Sequence, residues 1–356
     1  MELCGGRLSL QPAFSTCPCV GRFFCGRPRF GPPPVPAAAL PRRSGGVGGP
    51  KKSLGRRSVV QRLHLSLVLL VALLALSAPA ADAFPRTVVD GIGQEIYLEA
   101  PPQRILSVGL AMDNILLSVT DPERVVGVSA WAADPASSYV VDKVRPHMTL
   151  VQQLSAEQVL AVAPDIVLVA VWNEPDVVHQ LRDLGVKLYT FAAFDTVQDA
   201  LDNIARVGEI TGDEEAAQAL IDEFFRRYGQ IAFRIAGRER PGVLVWDDWG
   251  TTVGTDTSAH DIILLAGGRN VAAERGISGW HMIDAEAVIQ MNPDYIITPY
   301  DPAFAERIKN DPVLASVTAV RHGHVYYVPH MDALNHHFVE AIDILARILH
   351  PEAFDR

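Results

Sequence analysis

SAEQVLAVAPDIVLV, residues 155–169, and DAEAVIQMNPDYIIT, residues 284–298, are two versions of one segment, with Ala, Glu, Val, Pro and Asp at matching places. In each copy an amphipathic helix (156–163; 285–291) reaches a Pro-Asp turn. An apolar run rich in β-branched residues follows, as expected of a buried parallel strand. The chain therefore holds two similar lobes. Two lobes leave a cleft between them, and clefts at domain interfaces are a preferred place for small ligands.

Around the first copy, short apolar runs at 104–108, 125–129, 166–171 and 187–191 alternate with helical patterns at 111–119, 155–163 and 175–184. Around the second, strands are expected at 243–246, 295–299 and 325–328, and a helix from Asn335 to Leu349 closes the chain. Such alternation marks βαβ units and a parallel sheet. Between the lobes, 196–236 keeps a helical apolar period broken only at Thr211-Gly212-Asp213, where one helix can end and the next be capped. The expected fold class is thus α/β: two Rossmann-like lobes with parallel sheets, at 84–195 and 238–356, joined by a long interdomain helix at 196–237, with the ligand cleft between them. A helix in place of a Gly- or Ser-rich hinge acts as a strut, so domain closure should be small.

Residues 1–83 belong to neither lobe. Residues 1–55 are rich in Pro, Gly and Arg without any period, and read as a disordered or untranslated leader. At 56–83 a basic start, a short apolar core from Leu65 to Ala78 and Ala81-Asp82-Ala83 make a signal peptide, with cleavage expected before Phe84 and a periplasmic destination. Arg56-Arg57 loosely resembles a twin-arginine signal but lacks the bulky residue after the pair, which favours general secretion. No Cys stands near the cleavage point, so no lipid anchor is expected. Cysteines 4, 17, 19 and 25 all lie in the leader, leaving none for disulfides, thiolate metal sites or nucleophiles in the mature chain. Residues 1–83 carry 11 Lys and Arg against 2 acids, so the remainder has 20 bases, 39 acids and a net charge of −19. That balance argues against nucleic acid or anionic lipid as a partner.

All five tryptophans, Trp131, Trp172, Trp246, Trp249 and Trp280, fall at or just beyond the carboxyl ends of expected strands or in loops between the lobes. In open α/β sheets those ends form the ligand crevice. Large flat rings there can cover an apolar macrocycle while offering an N–H to a polar edge. Ten histidines survive cleavage, among them His281, His322, His324, His330 and the pair His336-His337. The pair is expected to start the last helix, pointing about 100° apart and so unable to chelate one ion together. The sequence lacks H-E-x-x-H and any other spaced metal signature, so no metal site is assigned. G-x-S-x-G, Walker and G-x-G-x-x-G motifs are also missing, and no catalytic residue is assigned. Asp247-Asp248 would point to opposite faces of an extended segment, so one of them serves at most as a polar ligand contact. Glu157 and Glu286 stand early on equivalent helices, where an acid complements the helix dipole.

Read together, TVVDGIGQEIYLEAPPQRILSVG at 87–109, LSAEQVLAVAPDIVLV, the central helix, LLAGGRNVA at 264–272, DAEAVIQMNPDYII and VRHGHVYYVP at 320–329 resemble the helix-linked periplasmic substrate-binding proteins of ABC importers, which deliver cobalamin, ferric siderophores and haem. The likeness covers 87–351. It implies a monomeric carrier that hands a small molecule to a permease dimer in the membrane, with no cofactor of its own. In the corrinoid binders of this family a tryptophan occupies the loop after the Pro-Asp strand and another stands six residues before the second-lobe Glu. Trp172 takes the first place with slightly different spacing and Trp280 the second. The resemblance thus implies cobalamin or a related corrinoid as cargo. A ferric siderophore or haem is the alternative, for which Arg275 and Tyr300 would serve, and a metal-dependent periplasmic hydrolase is the alternative from another class. The family's early-helix Glu on each lobe docks with permease arginines, a role that falls here to Glu157 and Glu286.

Overall fold

A computed structural model describes residues 84–135, 137–329, 331 and 335–355. The expected signal peptide and leader, with cysteines 4, 17, 19 and 25, and His330 lie outside the described residues. The N-terminal lobe opens with an antiparallel pair, β1 (Arg86–Val89) and β2 (Glu95–Leu98). It continues through β3 (Ile105–Ser107), α1 (Leu110–Val119), β4 (Val125–Ser129), β5 (Thr149–Val151), α2 (Ala156–Val162), β6 (Ile166–Ala170), α3 (Pro175–Asp183) and β7 (Leu188–Phe191). The five strands form a parallel sheet in the order β5-β4-β3-β6-β7. Every residue of β3, β4, β6 and β7 is buried, because helices cover both faces. The chain moves outward from β3 to β4 and β5, then crosses to the other side at β6. The carboxyl ends of β3, β4 and β6 therefore border a topological switch point.

Two helices fill the span expected to join the lobes, α4 (Val197–Thr211) and α5 (Glu214–Ile235). Thr196 and Asp199 form a reciprocal capping box at the start of α4. Gly212 ends it in the left-handed region, with φ 78°. Beyond the turn α5 packs so closely on α4 that a Cβ on Gly208 would stand 2.6 Å from the Ala217 Cβ. The corner is tied to the N-terminal lobe: Asp213 accepts from both Arg124 Nη1, at 2.9 and 3.0 Å, and Thr120 Oγ1, at 2.8 Å. From there the 22 residues of α5 run about 33 Å at the usual helical rise. α4 also touches the C-terminal lobe, where Val197 N donates to Asp261 Oδ2 at 3.0 Å.

The C-terminal lobe repeats the plan with β8 (Gly242–Val245), β9 (Thr251–Val253), α6 (Ser258–Leu265), β10 (Arg269–Asn270), α7 (Val271–Glu274), β11 (Trp280–Met282), α8 (Ala285–Met291), β12 (Tyr295–Thr298), α9 (Pro302–Lys309), α10 (Thr318–His322), β13 (Val325–Tyr327) and α11 (Phe338–Leu349). Its parallel sheet has the order β10-β8-β12-β13, so its switch point lies at the carboxyl ends of β8 and β12. The sequence repeat holds down to single hydrogen bonds. Ser155 and Asp284 cap the two short helices, and Ala163 and Asn292 end them at φ 43° and 42°. Asp165 Oδ2 then accepts from Gln103 N and Arg104 N at the start of β3, as Asp294 Oδ2 does from Gly242 N at the start of β8.

One continuous apolar core runs from the N-terminal sheet through Phe224 and Ile231 of α5 into Phe338 and Ile342 of α11. Phe224 and Phe338 meet edge to face, 4.9 Å apart. A second bridge crosses between the lobes where Tyr139 and His337 stack at 3.8 Å with ring planes 3° apart. The last helix begins later than the sequence indicates. Asn335 Oδ1 accepts from His337 N, so an Asx turn holds His336 and His337 ahead of α11. Their rings are consequently 4.0 Å apart instead of diverging around a helix.

Candidate functional site

At the N-terminal switch point a cavity of about 340 Å³ is lined by Val108, Ser129, Trp131, Gln152, Gln153 and Trp172, with Asn173 and Glu174 beside them. Its two rings are held out by their turns. Asn173 Oδ1 accepts from Ala170 N at 2.7 Å and Asn173 N donates to the Ala170 carbonyl at 3.0 Å. That tight loop leaves Trp172 57 % exposed, braced on Phe194 at 4.3 Å. Trp131 lies in a single 3₁₀ turn whose next residue, Ala132, is buried, so the indole faces outward.

Beneath this floor Asp113 is fully buried at the start of α1, accepting from Ser129 N at 3.1 Å and from the Ser129 hydroxyl. Burial pushes its carboxyl up from 3.8 to about 7, against the pull of the Ser107 and Ser129 hydroxyls and the Ser129 amide. A larger cavity, about 550 Å³, opens at the other end of the same lobe around Pro101, Leu160, Pro164 and Leu184. It sits at the strand starts and holds none of the tryptophans, so the smaller cavity is the candidate site.

The C-terminal lobe presents a second aromatic face. Asp247 is turned inward and its Oδ1 accepts from Trp249 N at 3.1 Å and Thr251 N at 2.7 Å. Burial raises its pKa, with these backbone hydrogen bonds pulling the other way. The turn this makes carries Asp248 and Trp249 into solvent, and Trp249 meets Tyr300 at 5.4 Å. On β11, Trp280 and Met282 share one side of the strand, with 52 % and 73 % exposure. Met282 is a residue the sequence reading missed.

Two expected ligand contacts are corrected by the structure. Trp246 belongs to the core of the C-terminal lobe, only 8 % exposed and edge to face with Phe304. It pairs with Thr252 as an extension of the sheet, which turns its side chain inward. Arg275 donates from Nη2 to the Gln290 carbonyl at 2.7 Å, in the last turn of α8. That turn leads into the start of β12, so the guanidinium is directed away from the strand ends that carry Trp249 and Tyr300.

Glu157 and Glu286 are both exposed at the second position of α2 and α8, where Glu286 accepts from Gln290 at 3.3 Å. His324 stacks on Tyr295 at 4.5 Å beside His322, and His281 is exposed. Among the described residues no group of three or more His, Cys, Asp or Glu is placed to hold a metal ion. Burial lowers the His336 pKa to about 3, with His337, Lys143 and Arg227 adding to the effect.

The model of the periplasmic binding protein family matches residues 105–331, which take in both switch points and the strut. The chain belongs to the periplasmic binding protein family. It is a substrate-binding protein of an ABC transporter, of the helix-linked class. Among its relatives is an ABC transporter substrate-binding lipoprotein of Bacillus subtilis, 25% identical, with 77% of this chain and 88% of the relative covered. A cobalamin-binding protein of Halobacterium salinarum is 28% identical over 62% of this chain and 60% of its own length. A periplasmic haem-binding protein from Pseudomonas aeruginosa shares the fold with a TM-score of 0.58 at 25% identity, covering 70% of this chain and 93% of that one. Among the described residues no helix of this binding protein is long and apolar enough to cross a membrane.

Proposed function

We propose that this binding protein captures cobalamin or a related corrinoid and delivers it to the permease dimer of an ABC importer. The observation that carries the reading is the set of exposed rings on both lobes: Trp131 and Trp172 at the N-terminal switch point, Trp249 against the half-buried Tyr300 at the C-terminal one, and Trp280 on β11. Flat rings on two sides suit a broad macrocycle, and Gln152, Gln153 and Asn173 offer neutral amide partners to its edge. For the alternative of a haem or ferric siderophore, Tyr300 stands beside Trp249 while Arg275 donates to the Gln290 carbonyl of α8, which favours the corrinoid. Cofactor and catalytic residues have no place in this reading. The carrier acts as a monomer after cleavage before Phe84 frees it into the periplasm. Glu157 and Glu286, alike in helix position and exposure, are its contacts to permease arginines. Purification of the secreted chain from its own host, followed by an absorption spectrum, tests the cargo. Corrinoid bands support the assignment, and a haem Soret band or a ferric-chelate charge-transfer band defeats it.

A further inference from the structure

The loops that follow the strands of both sheets share a property that neither aromatic face reveals. Among the described residues, 108–110, 129–135, 152–155, 171–175, 192–196, 246–250, 299–302, 328–329, 331 and 335–337 contain no lysine and no arginine. They do contain acids. Glu174 lines the cavity and Asp248 is exposed beside Trp249. Asp195 is exposed after β7, while Asp301 is offset by Arg307 at 3.2 Å and Asp247 is turned inward. Arg307 reaches the 299–302 loop from α9 but is paired with Asp301, and Lys143 and Arg227 act on His336, with Arg227 3.7 Å from Glu340. The polar groups inside the cavity are instead neutral: Gln152 and Gln153 are exposed, and Asn173 has its oxygen on Ala170 N, which leaves its NH₂ to donate.

We propose that the cleft selects its cargo by the sign of its charge, accepting neutral or cationic complexes and rejecting carboxylate-bearing complexes of the same size. A carboxylate carried against Trp172 would lose water beside Glu174 with no cation among the cavity residues to receive it. A carboxamide at the same place would keep its hydrogen bonds to Gln152, Gln153 or Asn173 at no Coulombic cost. The selection rests on the reading of this cleft as the ligand site and is independent of which ring system fills it.

The test is calorimetry on the secreted chain with two matched pairs of probes. The first pair is a fully amidated corrinoid and the same corrinoid with its side chains as carboxylates. The second is a ferric trihydroxamate with a free amine and the same chelate with that amine succinylated. In any pair that binds, the carboxylate member should be weaker by about tenfold or more, the size expected of one uncompensated charge contact near a protein surface. Glu174→Lys should narrow that ratio. A carboxylate member that binds as tightly as its partner overturns the selection. Silence from the corrinoid pair together with a gap in the chelate pair would defeat the corrinoid reading and uphold selection by charge. Silence from both pairs would defeat both.

Discussion

Replacing Asp113 by Asn should make the protein more stable at neutral pH and much less so under mild acid. In the unfolded chain this carboxyl titrates near 3.8, and in the folded protein burial holds it to about 7. Below the lower value both states are protonated and the side chain costs nothing. Between the two values the unfolded state gives up its proton while the folded state keeps it. Stability therefore falls as pH rises, by at most about 1.4 kcal/mol per pH unit, and levels off above the folded value. Across the whole interval the ceiling is about 4 kcal/mol, and relaxation around the charge should reduce it to about 2. Asn does not titrate, and its oxygen can still accept from Ser129 N. Urea denaturation of both proteins at pH 4, 5, 6, 7 and 8 gives the variant-minus-wild-type difference directly. The continuous core favours a single transition from which to read it. The difference should climb from pH 4 to pH 7 and then stay flat. A difference that is constant with pH, or that shrinks as pH rises, would refute the argument from burial.

Trp172→Ala and Trp280→Ala should each weaken corrinoid binding by about 1 to 3 kcal/mol in calorimetry, the usual loss on removing an aromatic anchor; unchanged affinity would take the rings out of the site. Reversing Glu157 and Glu286 together to Arg should abolish uptake while ligand affinity is retained, with single reversals milder, because like charges at a docking surface cost several kcal/mol. Loss of ligand binding in the double variant would instead assign the acids to the fold. Amino-terminal sequencing of secreted protein should begin at Phe84, and a chain still carrying Leu65–Ala78 would be a membrane-anchored form.

The repeated segment was readable because its strands are buried on both faces and its Pro-Asp turn does the same work twice. Asp165 and Asp294 cap the neighbouring strand through equivalent oxygens, so both copies keep the same residues. The candidate site was readable only in part. The position of Trp246 after a strand was clear, but its direction is fixed by packing on Phe304, a long-range contact with no local signal. Arg275 was misplaced for a similar reason, since its partner Gln290 lies on another helix. Met282 did have a signal, the period of two that sets it on the same side as Trp280. Gln152 and Gln153 follow β5, whose three residues are too short to show any alternation. At His336 and His337 the helical period was extended one turn too far because the Asx turn of Asn335 leaves the hydrophobic pattern intact.

The core that passes through α5 has a consequence for the two halves as separate molecules. Phe224 and Ile231 lie in a cluster built from both sides of the duplication, so neither half alone completes that part of the interior. Cutting the chain after Ala236 would strip α5 of the α11 face, and cutting before Val197 would uncover the outer surface of α1. A fragment carrying only one repeat would keep its own smaller cluster but leave one side of the shared core open to water.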